Sequence, residues 1–184
     1  MSVLDYKTTN PREGGASFSL SNRLSRLVWN ICWLVLASWT PPFAHPWRRF
    51  LLRSFGAKIQ GKSDVRGSAR VWYPGYLVMG DNSIIADRVI CYNMALITIG
   101  DYTVISQGAH LCAGSHDIVD PHFQLIARPI HIGKECWVAA EAFVGPGVTM
   151  GEGAVLGARG VAFRDMDANG VYAGNPAKKI KDRR

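Results

Sequence analysis

No apolar run near the start of this 184-residue chain is long enough to cross a bilayer. The candidate, Leu27 to Trp39, is short and is interrupted by Asn30. Acidic Asp5 and Glu13 precede it and no small-x-small cleavage pattern follows it, which argues against a signal peptide. Cysteine is scarce. Cys32, Cys91, Cys112 and Cys136 show no C-x-x-C spacing and read as buried thiols in a reducing compartment. The glycines form neither a dinucleotide nor a P-loop fingerprint, and no serine or cysteine is paired with a base in a recognisable nucleophile motif. The chain therefore reads as cytoplasmic, and any group transfer it performs as direct.

Acidic residues are scarce at the two ends. Residues 1–58 hold eight Lys/Arg against two Asp/Glu, residues 59–175 hold eight against eleven, and the tail from Pro176 holds five against one, within a net charge of +7. The middle segment is therefore not a nucleic-acid surface, which needs basic residues clustered along a face. The basic ends require separate explanations.

What the sequence does have is a six-residue register from Ile59 almost to the C-terminus. A large aliphatic residue opens successive hexapeptides at Ile59, Val65, Val71, Met79, Ile85, Ile99, Ile105, Leu111, Ile132, Val138, Val144, Met150 and Leu156, with Cys91 and Ala162 as substitutes. A small residue follows four positions later, as at Ser63, Ala69, Ser83, Thr103, Ala109, Ser115, Cys136 and Ala142; Met166 breaks the size rule. The phase slips by two after Val78 and again after Thr98, so three hexapeptides plus a two-residue extension make one coil. Period six fits neither a helix nor a two-residue alternation, and predicts an all-β solenoid of short stacked strands over 59–175. One interruption is long: the excursion from Asp117 to His131 reads as a functional loop.

Ahead of the solenoid, residues 1–17 read as a loose arm and 18–58 as two amphipathic helices. The first starts at Ser19 or Ser21, carries Leu20, Leu24, Leu27, Ile31, Leu34 and Val35 along one side, and ends at Pro41-Pro42. The second runs from Pro46 to Gly56, with Trp47, Phe50, Leu51 and Phe55 on one side and Arg48, Arg49 and Arg53 on another. Two roles are open. The apolar faces can cap the first coil, or Trp29, Trp33, Trp39 and Trp47 amid the arginines can form a patch for an anionic membrane surface.

For chemistry, His116 stands where the excursion leaves the body. Asp117, Asp120 and Glu141 are near enough in sequence or stacking to orient its ring, and Asn93 lies about one coil below. His110 at a turn, His122 in the loop and His131 on the returning strand read as surface or edge residues. Cys112 reads as a packing residue and Ser115 as an inward one.

Several segments together carry a resemblance: Gly114-Ser115-His116, Asp120-Pro121, Pro129 to Gly133, Trp137 to Ala140, Pro146 to Gly151 and Ala173 to Lys178. With the hexapeptide register, they resemble the left-handed parallel β-helix acyltransferases over residues 59–181. The segments Asn22-Arg23-Leu24, Trp47 to Ile59 and Ser106-Gln107 resemble the colanic-acid type of exopolysaccharide acetyltransferase. The resemblance implies acetyl-CoA as co-substrate, a sugar or lipid-linked oligosaccharide acceptor, no metal, a homotrimer with sites between subunits, and a left-handed coil. It implies His116 as general base, Asn93 holding the acceptor hydroxyl, Trp137 beside the acetyl group, and backbone N–H groups near Ala139 and Ala140 at the thioester. Asp117 and Asp120 fall on the acceptor side. Ala158 and Arg164 correspond to the CoA channel, and Lys178, with Lys181, to the contacts with CoA phosphates. Two alternatives remain: a γ-type carbonic anhydrase on the same fold, using histidines among His110, His116, His122 and His131, and a non-catalytic β-helix scaffold.

Overall fold

A computed structural model describes residues 17–183. The arm expected over residues 1–17 lies outside the described residues except for Ser17. From Lys58 onward the chain winds as a three-sided parallel solenoid. The first coil contains β1 (Lys58–Ile59), β2 (Asp64–Val65) and β3 (Arg70–Val71). The second contains β4 (Leu77–Met79), β5 (Ile84–Ile85) and β6 (Ile90–Tyr92), and the third β7 (Ile97–Ile99), β8 (Val104–Ile105) and β9 (His110–Cys112). A hairpin, β10 (Gly114–His116) and β11 (Leu125–Ala127), then projects from the body. The fourth coil contains β12 (Ile130–Ile132), β13 (Trp137–Val138) and β14 (Phe143–Val144), the fifth β15 (Thr149–Met150), β16 (Val155–Leu156) and β17 (Val161–Ala162). Two longer strands, β18 (Gly170–Ala173) and β19 (Lys178–Asp182), close the stack.

The three faces of the prism are the sheets β1-β4-β7-β12-β15, β19-β18-β16-β13-β8-β5-β2 and β17-β14-β9-β6-β3. Strand register reproduces the sequence period. Val78 pairs with Lys58 below and Thr98 above, each twenty residues away. Across the hairpin Thr98 pairs with His131, and His131 then pairs with Thr149 only eighteen residues on, so the later coils lack the two-residue extension. Every aliphatic position of the register is buried, from Ile59 to Leu156, together with Cys91 and Ala162. Met166 is also buried, against the small-residue rule. Among the small positions, Ser63, Ser83 and Thr103 stack inside the prism, and the Thr103 hydroxyl accepts from the Cys136 N–H at 3.0 Å. Burial pushes the Cys91 thiol up to about 12. Cys32 and Cys112, expected to be buried, are half-buried.

A further expectation is corrected. The excursion begins at Gly114, three residues earlier than expected, so Ser115 is an exposed hairpin residue and not an inward one. The basic tail is a strand: β19 returns antiparallel on β18, with Lys179 paired to Asp167 and Asp182.

Helices α1 (Leu20–Leu36) and α2 (His45–Ser54) form the base. Ser19 caps α1 by accepting from the Asn22 N–H at 3.2 Å. Their function in the fold follows from the hydrogen bonding of the coils. The N–H groups of residues 60, 64, 66, 70 and 72 donate upward to the carbonyls of residues 79, 83, 85, 89 and 91. Twenty residues earlier, the equivalent carbonyls of residues 59, 63, 65, 69 and 71 have no coil beneath them. All five are capped by side chains. Arg53 donates to Ile59 O at 2.6 Å, Arg49 to Ser63 O at 2.8 Å and Arg48 to Val65 O at 2.6 Å. The Trp33 indole N–H donates to Ala69 O at 3.1 Å and that of Trp29 to Val71 O at 2.7 Å. An open strand edge left without donors would expose these acceptors to water or to another chain.

The helices do cap the first coil, but on α2 the arginines share the inward side with Leu51, Leu52 and Phe55. The arginine side of α2 lies on the solenoid, while Trp47 and Phe50 stack on each other outside. In α1, Trp29 and Trp33 are buried, and the leucine side points outward. Trp29, Trp33 and Arg48 are thus unavailable for a membrane surface.

Candidate functional site

His116 ends β10, and its position depends on Gly114. The chain leaves the body at this glycine, where a Cβ would collide with the Met94 sulfur and crowd the Tyr92 ring at 3.2 Å. The hairpin register then places His116 opposite Leu125. The imidazole stacks on the Phe123 ring, with centroids 4.3 Å apart and planes within 10°. Its Nδ1 lies 2.9 Å from the Phe123 carbonyl oxygen. A carbonyl only accepts, so Nδ1 carries a proton, and in the neutral ring the lone pair is on Nε2.

None of the carboxylates considered from the sequence makes this contact. Asp117 accepts from the N–H groups of Val119 and Asp120, and Asp120 accepts from that of His122, so both shape the hairpin tip. Glu141 pairs with Arg159 at 2.6 Å on the surface. The residue that sequence reasoning missed is Phe123, whose ring and carbonyl together fix the imidazole. Its only signal is its place in the excursion, since cross-hairpin pairing cannot be read from composition.

Asn93 is fully buried in the chain. Its amide oxygen accepts from the Tyr73 N–H at 3.0 Å and its amide nitrogen donates to the Tyr73 carbonyl at 2.7 Å. That enclosure makes it a clamp between two coils at the corner below the hairpin. Cys112 donates to the Gly114 carbonyl at 3.2 Å, and burial raises its thiol pKa, so it is poorly suited to be a thiolate nucleophile. His110 lies in β9 and not at a turn. Its ring meets Phe143 edge-on at 5.3 Å, its Nε2 is buried without a partner, and burial lowers its pKa. His122 and His131 are exposed. Among the described residues no three His, Cys, Asp or Glu side chains are placed to hold a metal ion.

The remaining candidates lie elsewhere on the prism. Trp137 is exposed on β13, with its indole N–H donating to the Ser106 hydroxyl at 2.9 Å. The turn after β13 holds Ala139, whose N–H is committed to Leu156 O at 2.9 Å, and Ala140, whose carbonyl accepts from Arg159. Among the described residues no acceptor meets the Ala140 N–H, so of the two it is the one free to polarise a carbonyl. Ala158 is exposed in the turn one coil above. Arg164 is exposed after β17, and Lys178 is exposed at the start of β19. A cavity of about 570 Å³ between α1 and the β3 and β6 strands, lined by Trp33, Trp72 and Tyr92, contains none of these residues.

The candidate residues therefore lie on both sides of one face of the prism. Ala140 and Ala158 are at the edge where the chain enters the β3-β6-β9-β14-β17 face, with Trp137 on the adjoining face before it, and His116 and Arg164 are at the edge where the chain leaves. The three residues of β9 alone separate these edges by about 10 Å of extended chain. A thioester held at one edge is out of bonding reach of a base at the other within a single chain.

The chain is 43% identical over 166 residues to a protein named as the colanic acid biosynthesis acetyltransferase WcaF of Escherichia coli K12, spanning 90% of this chain and 91% of that one. Its fold matches a hexapeptide-repeat acetyltransferase of Vibrio cholerae in complex with acetyl coenzyme A, with TM-score 0.82 and 23% identity over 90% of this chain and 91% of that chain. It also matches a maltose O-acetyltransferase of Clostridium difficile, with TM-score 0.81 and 23% identity over 89% of each. No family model matches. The solenoid is the left-handed parallel β-helix of these enzymes.

Proposed function

Because the chain belongs to the hexapeptide-repeat acetyltransferases of the colanic acid biosynthesis type, we propose that it moves the acetyl group of acetyl-CoA onto a sugar hydroxyl, with His116 as general base. It is an acyltransferase that uses acetyl-CoA. The observation that carries the finer reading is the His116 Nδ1 contact with the Phe123 carbonyl, because it leaves Nε2 as the only ring nitrogen able to take a proton.

In the transfer, the acceptor oxygen attacks the thioester carbonyl carbon as Nε2 takes the hydroxyl proton. Negative charge develops on the carbonyl oxygen, where a free N–H such as that of Ala140 is stabilising. The tetrahedral intermediate collapses by breaking the C–S bond, and the proton on Nε2 passes to the departing thiolate of CoA. The acceptor leaves as an acetyl ester and His116 returns to its neutral tautomer. Asn93 acts in this scheme as a positioning residue, holding the Tyr73 backbone at the corner beneath the hairpin.

The separation of His116 from Trp137, Ala140 and Ala158 supports a site completed by a neighbouring subunit, and a trimer is the arrangement a three-sided prism accommodates. Holding donor and acceptor on two walls converts a bimolecular reaction into a positioned one. Incubating the protein with acetyl-CoA and a panel of lipid-linked oligosaccharides, while following thiol release and product mass, tests the assignment. Thiol release with no acetylated sugar in any arm would remove the sugar hydroxyl as acceptor.

Arg164 and Lys178 are exposed cations suited to the phosphates of CoA. Arg164→Ala and Lys178→Ala are expected to raise the KM for acetyl-CoA more than they lower kcat, and added salt should act in the same direction. Titration of acetyl-CoA at fixed acceptor checks this; unchanged KM in both variants would take the two residues out of the CoA site.

A further inference from the structure

The outer side of the amino-terminal cap is an extended apolar face whose direction is fixed by what lies behind it. On α1 the residues that reach the first coil, Asn22, Trp29 and Trp33, share one side of the helix. Leu24, Leu27, Ile31 and Leu34 lie on the opposite side at three- and four-residue spacing, each more than half exposed. The turn beyond adds Trp39 and Phe43, 73% and 80% exposed. Since the capped carbonyls form the bottom edge of the solenoid, this face points away from the coils at the end of the prism. A helix that is apolar on both sides is one that something else covers.

Charge identifies the cover. Residues 17–63 contain no Asp or Glu; of their seven Lys/Arg, Arg48, Arg49 and Arg53 donate to the first coil, while Arg23, Lys58 and Lys62 are exposed, and the next carboxylate, Asp64, is already paired with Arg48 and Arg66. Two copies of this face brought together would set cations against cations. An anionic headgroup layer would instead meet them with opposite charge, while the acyl boundary accepts the leucines and exposed aromatics. No helix of the described residues is long and apolar enough to cross a membrane, so the contact is one of lying in the interface.

We propose that the outer face of the α1–α2 cap docks on an anionic lipid bilayer. The inference rests on the cap alone and not on the transfer chemistry, so it stands or falls separately from the role of His116. Flotation of the full chain with phosphatidylcholine vesicles, with and without phosphatidylglycerol, is the test. The protein should float with the anionic vesicles at low salt, and less so at high salt. The double variant Leu27→Glu, Ile31→Glu alters only exposed positions, so it should keep its thermal unfolding profile and its thiol release from acetyl-CoA. It should lose vesicle binding by at least about tenfold, since each buried aliphatic side chain contributes enough for that factor. Absence of co-flotation at low salt, or binding that survives the double variant, overturns the proposal. A drop in oligomer size on introducing the two glutamates does so too, by assigning the face to a second copy of the chain.

Discussion

His116→Ala is expected to lower turnover by about 10² to 10⁴, the range a positioned general base supplies, with the fold intact. The residue is half-buried on a projecting hairpin and packs mainly against Phe123, so its loss leaves the solenoid coils untouched. The KM for acetyl-CoA should change little, because His116 is assigned the acceptor proton and not a contact with CoA. His110→Ala and His122→Ala serve as controls and should remain within a few-fold of the parent enzyme. Steady-state kinetics with a saturating acceptor give the answer, and full turnover in His116→Ala would leave the base elsewhere.

The second large effect is on stability. Arg48→Ala is expected to cost about 3–5 kcal/mol, the range for removing one partner of a buried ion pair. The Arg48 side chain has no exposed surface, and donates to Val65 O, to the Thr40 hydroxyl, to the carbonyls of Pro41 and Pro42, and to Asp64 at 3.1 Å. Alanine leaves those acceptors without a donor and one carboxylate without its main partner. Lysine should rescue little, since a point ammonium cannot reproduce the guanidinium fork. Arg53→Ala, which uncovers only Ile59 O, should cost about 1–3 kcal/mol, the price of one unsatisfied buried acceptor. Urea unfolding compares the three variants; a loss under about 0.5 kcal/mol for Arg48→Ala would mean that water replaces the cap without penalty, as at an ordinary surface position.

The arginines also mark the boundary of what the sequence makes legible. The solenoid was readable because each aliphatic position obeys one rule, burial against the next coil, and that rule repeats along the chain. The cap obeys a different rule that occurs once. A helical wheel of 18–58 shows apolar and basic sides, and the usual inference turns the apolar side alone inward. Here the surface to be covered includes a row of five carbonyl acceptors, so donors from Arg48, Arg49, Arg53, Trp29 and Trp33 turn inward beside Leu51, Leu52 and Phe55. Only knowledge of which coil has nothing beneath it reveals that demand.

At the site the same distinction holds. His116 was found from its place at the mouth of the excursion, but its partner was sought among carboxylates, which are visible as residue types. The partner is a backbone carbonyl, delivered by the pairing of Gly114 with Ala127 and His116 with Leu125. Any residue at position 123 has a carbonyl, so no sequence pattern announces it. Asn93 was likewise chosen by residue type and proximity, and its burial against Tyr73 could be known only once two coils were stacked.

The solenoid is also a spacer of fixed increment. Adjacent strands in a sheet stand about 4.8 Å apart, and the hairpin leaves from the third coil, two steps above the coil that the cap covers. With the cap on a lipid surface, His116 would be held about 10 Å above the first coil, at a height set by the coil count and not by a flexible tether. Inserting one twenty-residue coil between the second and third would raise the base by one increment and leave its local geometry unchanged. The reach of the enzyme along an acceptor that starts at that surface would then be adjustable in steps of one strand spacing.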